Sequence, residues 1–285
     1  MRVRRRSGRH ADNCIAAWFT RPSARVGVVG ALTLGVVITV TPANGAASNI
    51  ATHVARAVRG LVSTAHTGKN IAGTAAVGAL FTSSDGKLGS HFCTASVVSS
   101  PHGDLAITAA HCVTGLSGTT IAFVPGYNLG KVPYGVWTVA EVYVDQAWSS
   151  NSSQDDDVAF LRLSPQTASS VPIEDVTGAE TLATSTAAKQ TVKVIGYPDG
   201  SDQPISCLNW TSQPMSNQLE FDCGGFTDGT SGGPFLADVN AATGQGVVIG
   251  VIGGYEQGGL TPDVSYSSQF GSNIATLYTT AVAGG

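Results

Sequence analysis

Charge is scarce in this 285-residue chain, with Asp, Glu, Lys and Arg making up 12% of it. Beside 42% hydrophobic residues, so low a charged fraction excludes the disordered class, which has the reverse balance. Long apolar runs are missing too. Residues 26–40 form a run of 15, softened by glycine and threonine, short of the ~20 that a membrane-spanning helix requires. No segment recurs at a 20–50-residue period, which sets solenoids and propellers aside. The five cysteines include no Cys-x-x-Cys pair, so the usual close-spaced zinc ligands are lacking. The α/β-hydrolase arrangement needs a Gly-x-Ser-x-Gly elbow between a strand and a helix, and a triad order ending in His; the Gly-x-Ser-x-Gly match at 229–233 leads into a strand-like run rather than a helix, and no histidine follows it.

The start of the chain reads as an export signal. Arg2, Arg4, Arg5, Arg6 and Arg9 precede the apolar run, and small residues follow at 43–47, so residues 1–47 are expected to be a cleaved signal peptide and the protein secreted. Without them 8 basic and 18 acidic side chains remain, a net charge of −10. That is not the footprint of a nucleic-acid binder, and it favours solubility outside the cell. Export also makes Cys93, Cys112, Cys207 and Cys223 candidates for two disulfides, with three connectivities possible. Residues 48–70 are expected to be a propeptide. Ile50, Val54, Ala57, Val58 and Leu61 recur at helical steps, as in a short helix that covers a cleft or assists folding, or in a leader of no fixed form. The mature chain is expected to start near Ile71.

Downstream, short apolar segments alternate with turn residues. Strands are predicted at 76–81, 92–98, 105–109, 120–124, 136–144 and 157–163, and again at 191–197, 219–223, 233–237 and 246–255. In the long run Val136, Thr138, Ala140, Val142 and Val144 share one face, and Trp137, Val139, Glu141 and Tyr143 the other, as in a half-buried strand. Residues 272–282 read as a final helix, capped by Ser272 and striped by Ile274, Leu277, Tyr278 and Ala281. Many short strands mean a sandwich or a barrel, and composition does not separate the two.

The chemistry centres on Thr227-Asp228-Gly229-Thr230-Ser231-Gly232-Gly233-Pro234-Phe235. A serine hydroxyl is a poor nucleophile until a base takes its proton. His111 in Thr108-Ala109-Ala110-His111-Cys112 is the candidate base, and Asp157, opening an apolar strand, the candidate orienting acid. Asp155 and Asp156 are expected to be solvated loop charges, His102 and Asp104 parts of a turn, and His91 to point outward from a strand. The three motifs, in the order His, Asp, Ser, resemble those of the trypsin-like (chymotrypsin-fold) serine peptidases, over the chain from about Ile71 onward.

That resemblance implies an all-β fold of two six-stranded antiparallel barrels with the active site between them, the first over 71–170 and the second, with a short C-terminal helix, over 171–285. It implies a secreted serine endopeptidase in which Ser231 forms an acyl-enzyme, His111 is the general base and Asp157 orients it. The oxyanion hole would be the N–H groups of Gly229 and Ser231. The resemblance also pairs Cys93 with Cys112, leaving Cys207 with Cys223. It places the substrate pocket at Gly225, Phe226, Asp228, Ile252, Gly253, Gly254 and Tyr255. No metal or organic cofactor is implied. The expected partner is a protein or peptide substrate, with no nucleic acid, no membrane after signal cleavage, and a monomeric state.

Three positions depart from the family pattern. Thr230 stands where animal digestive enzymes carry the aspartate that pairs with a freed N-terminus. Gly225 stands at the trypsin pocket aspartate, so preference for Lys or Arg loses its support. Ile252 replaces the histidine of glutamyl endopeptidases. Together with Ile195-Gly196-Tyr197-Pro198, the pattern is nearest the secreted bacterial, glutamyl endopeptidase-like (V8-like) branch. Phe226 and Ile252 point to an apolar pocket, with Asp228 at its rim. Two other functions fit the same fold: a binding protein that has lost catalysis, and an esterase using the same triad.

Overall fold

The computed structural model describes residues 66–165 and 171–284. The expected signal peptide and residues 48–65 of the expected propeptide lie outside these. The described chain enters through β1 (Lys69–Asn70), which pairs antiparallel with a strand of the second half. Six strands follow: β2 (Val77–Ser84), β3 (Lys87–Val98), β4 (Leu105–Thr108), β5 (Ile121–Pro125), β6 (Trp137–Val144) and β7 (Ala159–Pro165). They close into an antiparallel barrel in the order β2–β3–β4–β7–β6–β5. The β2–β3 hairpin turns on Asp85 and Gly86, with φ of 50° and 74°, the left-handed pair that a two-residue hairpin loop demands.

The barrel strands are buried on both faces, for two different reasons. Leu80, Val97, Ala106, Phe123 and Leu161 point into the barrel. Val77, Ala79, Phe81, Leu105, Ile107 and Phe160 point outward, against Ile195, Tyr197, Leu236 and Val251 of the second half and Ile274 and Leu277 near the C-terminus. The alternation along β6 does not run unbroken. Register shifts between Val139 and Glu141, so Ala140 is a bulge. Trp137 and Val139 before it, and Val142 and Val144 after it, belong to the same interior cluster. The expected single face is therefore exchanged at residue 140, because a bulge shifts the pleat by one residue.

After α1 (Gln146–Asn151), N-capped by the Asp145 carboxylate at 2.7 Å from Ala147 N, and α2 (Ile173–Thr177), the second half begins. It holds β8 (Thr181–Leu182), β9 (Thr191–Gly196), β10 (Ile205–Met215), β11 (Gln218–Asp222), β12 (Pro234–Ala237), β13 (Val247–Val251) and β14 (Val264–Ser268). The ladder runs β14–β11–β10–β9–β12–β13–β8, with β1 added on β10. Strands β9 to β14 are the expected six antiparallel strands. Where β13 meets β14, single bonds bridge the seam: Val251 N–H to Ser267 Oγ and Gly253 N–H to Tyr266 O, each 2.9 Å. Val194, Phe221, Phe235 and Ile249 fill the interior.

The final helix α3 (Ser272–Ala283) buries Ile274, Leu277 and Ala281. Its cap differs from expectation. Gly271 is the N-cap, without a side-chain bond, and Ser272 is already helical. Glu180 is fully buried where the halves meet. Its main chain bonds Val97 and Ser99 at 2.9 Å, and its carboxylate Oε2 accepts Gly246 N–H. Burial pushes its pKa up to about 7.

Candidate active site

His111 sits just past β4, in a tight turn closed by Val113 and Thr114 N–H on Ala110 O, both at 3.1 Å. Ala109 and Ala110 are completely buried, which explains why only small residues precede the histidine. The Cys93–Cys112 disulfide ties the turn to β3. The imidazole is 13% exposed.

Asp157 follows a short 3-10 turn over Gln154–Asp156 and has no exposed surface. A buried carboxylate is tolerated only if its oxygens are bonded. Oδ1 accepts His111 N–H at 2.8 Å; Oδ2 accepts the imidazole Nδ1–H at 2.8 Å and Gly254 N–H at 2.9 Å. Because the carboxylate accepts at Nδ1, a neutral ring keeps its lone pair on Nε2.

Ser231 lies on the turn before β12 and is partly exposed. Two glycines make its placement possible. Gly232 has φ 81°, and a Cβ there would run into Thr94 O and Thr108 Oγ1. The residue after the serine thus lies against the strand end that leads to His111. Gly229 has φ 87°, and a Cβ there would lie 2.6 Å from Tyr197 O and Asp199 N. Along the loop, the N–H groups of Thr227, Thr230, Gly232 and Gly233 are bonded within the protein. Those of Gly229 and Ser231 have no partner among the described residues.

No sequence motif points to Thr94, which is fully buried on β3. Its N–H donates to Ser231 O at 2.7 Å, its Oγ1 donates to Gly229 O at 3.0 Å and accepts Tyr197 N–H at 2.9 Å, and its carbonyl accepts Thr108 Oγ1 at 2.7 Å. One threonine pins the serine loop, β9 and the histidine strand together.

Beside Ser231 opens a cleft of about 260 Å³, below the roughly 300 Å³ at which pockets for whole small molecules begin. Of the predicted pocket residues, Phe226, Asp228 and Ile252 line it; Gln257, Gly258, Gly259, Leu260, Thr261 and Pro262 supply the far wall. Gly225, Gly253, Gly254 and Tyr255 are not among its lining residues. Gly253 instead packs on Asp157, where a Cβ would stand 3.0 Å from Oδ2.

Cys93, His111 and Cys112 bring three potential metal ligands within 4.8 Å, but the two sulfurs are bonded to each other and Nδ1 to Asp157. The second disulfide joins Cys207 and Cys223. Expectations about the neighbouring polar residues are corrected in two cases and met in a third. His91 is buried rather than facing solvent, with Nε2 3.1 Å from Ser201 O, because Phe81 and Tyr197 pack edge-on against it. Asp155 and Asp156 are partly exposed but not simple solvated charges: Asn217 and Gln218 donate to Asp155, and Asn273 and Ser153 to Asp156. His102 and Gly103 do form a turn, with Gly103 at φ 65°.

A closed six-stranded barrel, a second β-sheet and a short C-terminal helix make up the chymotrypsin-like two-domain fold. The trypsin family model matches residues 67–270, and the chain belongs to that family. Similar solved structures are proteases. Protease Anisep from Arthrobacter nicotinovorans is 25% identical, with a TM-score of 0.64 over 76% of this chain and 100% of its own. The thermostable serine protease AL20 from an extremophilic microorganism is 24% identical, with a TM-score of 0.62 over 74% and 99%. A Glu endopeptidase in complex with MPD is 16% identical, with a TM-score of 0.59 over 78% and 99%. No curated protein sequence matches significantly.

Proposed function

We propose that the protein is a secreted serine endopeptidase whose triad is Ser231, His111 and Asp157. The observation that carries this reading is the buried Asp157 holding His111 at both the main chain and Nδ1, beside a serine whose loop is docked on the same strand end. Family membership supplies serine peptidase function; the residues below give it a mechanism.

Ser231 Oγ attacks the peptide carbonyl while His111 Nε2 takes its proton. The tetrahedral oxyanion sits against the N–H groups of Gly229 and Ser231, which have no other partner among the described residues; one such donor is worth about a hundred- to a thousandfold in rate. His111 then gives the proton to the leaving amine, and the acyl-enzyme is hydrolysed by water activated the same way. Asp157 fixes the tautomer and stabilises the imidazolium. The cleft is the primary specificity pocket. Phe226, Ile252, Leu260 and Pro262 favour an apolar side chain, and Asp228 lies at the exposed edge. Export rests on the basic-apolar-small pattern of residues 1–47.

The test is labelling with a fluorophosphonate, then mass spectrometry of the modified peptide. Labelling at Ser231, and proteolysis abolished in Ser231→Ala with the fold intact, are expected. No labelling of the folded protein would favour a binding protein that has lost catalysis.

A further inference from the structure

Two chain segments meet at Asp157, one from each half. Residues 154–157 carry the carboxylate, and residues 253–255 supply the Gly254 N–H that reaches its Oδ2 at 2.9 Å. One side chain from neither segment joins them. Gln218, the first residue of β11, is 4% exposed. Its Oε1 accepts Tyr255 N–H at 2.9 Å, and its Nε2 donates to Asp155 Oδ1 at 2.7 Å and Gln154 O at 3.2 Å.

The orientation of this amide is fixed by its partners. A main-chain N–H can only donate, so the atom facing Tyr255 is oxygen. A carboxylate and a carbonyl can only accept, so the atom facing Asp155 and Gln154 is nitrogen. Both ends of the carboxamide are therefore used, and no hydrocarbon or carboxylate of similar size could serve both. The fit is close as well: a Cβ on Gly254 would collide with Gln218 Oε1. Asn217 Nδ2 donates to the other oxygen of Asp155 at 3.0 Å, which leaves Oδ1 for Gln218.

We propose that Gln218 is a positioning residue for catalysis. Its carboxamide sets the separation between the 154–157 turn and the 253–255 turn, so that Gly254 N–H stays on Asp157 and Asp157 keeps His111 aligned. This rests on the triad reading above. Gln218 touches no substrate; it acts through Asp157. It should therefore govern kcat rather than KM, because the cleft beside Phe226 and Ile252 does not include it.

The donor–acceptor logic gives a rescue experiment. In Gln218→Glu, a carboxylate faces the Asp155 carboxylate and the bond is lost. In Gln218→Glu with Asp155→Asn, the polarity is exchanged. The new amide at position 155 can donate to the new carboxylate at position 218. That carboxylate still accepts Tyr255 N–H, the amide oxygen at 155 still accepts from Asn217, and the longer 3.2 Å bond to Gln154 O is the one not restored. The expected result on a peptide p-nitroanilide is a kcat at least tenfold lower for Gln218→Glu, with KM within twofold. The double variant should recover most of the loss, and the deficit of Gln218→Glu should shrink as pH falls and its carboxyl regains a proton to donate. Rates are normalised to sites titrated with the fluorophosphonate, so partial misfolding does not count as lost turnover.

Wild-type kcat in Gln218→Glu, or a double variant no faster than the single one, overturns the proposal. Should Gln218→Glu fail to fold, Gln218→Met decides: a kcat at least tenfold lower with KM unchanged supports the proposal, and wild-type kcat overturns it. Failure of the triad reading looks different, since the wild-type protein would then not be labelled at Ser231, or Ser231→Ala would stay active.

Discussion

Thr94 N–H donates to the carbonyl of Ser231 at 2.7 Å, and the neighbouring Cys93 is bridged to Cys112 beside His111. The main chain of the proposed nucleophile and the proposed base are thus tied, within two residues on β3, to one point of the first barrel. Changing Thr94 to valine keeps the shape and the N–H but removes Oγ1. Gly229 O and Tyr197 N–H would then be buried without a partner, at about 1–3 kcal/mol for such a group. Thr94→Val is expected to lower stability by that order in chemical denaturation, and kcat with it.

Asp157→Asn tests the orienting acid. With the amide oxygen at the Oδ2 position the NH2 faces His111 N–H, and with it at Oδ1 the NH2 faces Gly254 N–H and Nδ1, so one orientation leaves a donor unpaired and the other imposes the wrong tautomer. The expected loss is about ten-thousandfold in kcat, the order seen when such an aspartate is amidated elsewhere. Steady-state kinetics at pH 7 to 8 would check it, and a loss under tenfold would remove Asp157 from the mechanism.

The Cys93–Cys112 bridge closes a loop with a sequence separation of 19. Loops of that size stabilise by about 3 kcal/mol in the chain-entropy picture. Replacing both cysteines by alanine should cost this order in a urea melt. It should also reduce kcat, because the turn carrying His111 loses its tie to β3.

Glu180 titrates in the wrong place for a stabilising carboxylate. Its folded pKa is about 7 against an ordinary 4.5, so between those values the folded protein binds more protons than the unfolded chain. Stability from this group is complete below about pH 4.5, falls as pH rises towards 7, and is level above. The loss is ~3 kcal/mol at most. Glu180→Gln does not titrate. Its melting temperature should decline less than wild type's between pH 4.5 and 7, measured by calorimetry at matched salt. Parallel profiles for the two proteins would show that Glu180 does not carry the effect.

Much of this architecture is legible in the sequence, and the exceptions have physical causes. The ten predicted strands all exist, because each alternates or runs apolar between turn residues. Strand β10 has no such pattern: Leu208 and Trp210 are exposed on it, and Pro214 interrupts it, so it mimics a loop. Strand β14 is VSYSS, with buried serines in place of apolar residues. The motifs of the proposed triad stand out because each packs its distinctive residue types into a few consecutive positions. Thr94 and Gln218 do not, since an isolated threonine or glutamine is meaningful only through partners far away in sequence. The cleft wall at 257–262 is hidden for a related reason. Glu256 and Gln257 take left-handed φ of 51° and 55°, a turn that no glycine or asparagine at those two positions announces.

The two halves exchange their outermost segments. The first strand described, β1, is paired with β10 of the second half, while α3, from the far end, lies on the first: Tyr278 OH donates to Ser99 O at 2.8 Å and its ring packs on Phe160. The α3 contact holds whatever the processing, whereas β1 falls within the expected propeptide and cleavage near Ile71 would remove it. Melting of the first half is expected to free α3 from Ser99 and Phe160, and so to disturb the second half. The two halves are therefore expected to unfold as one cooperative unit, so that denaturation followed by two probes, one in each half, gives a single coincident transition.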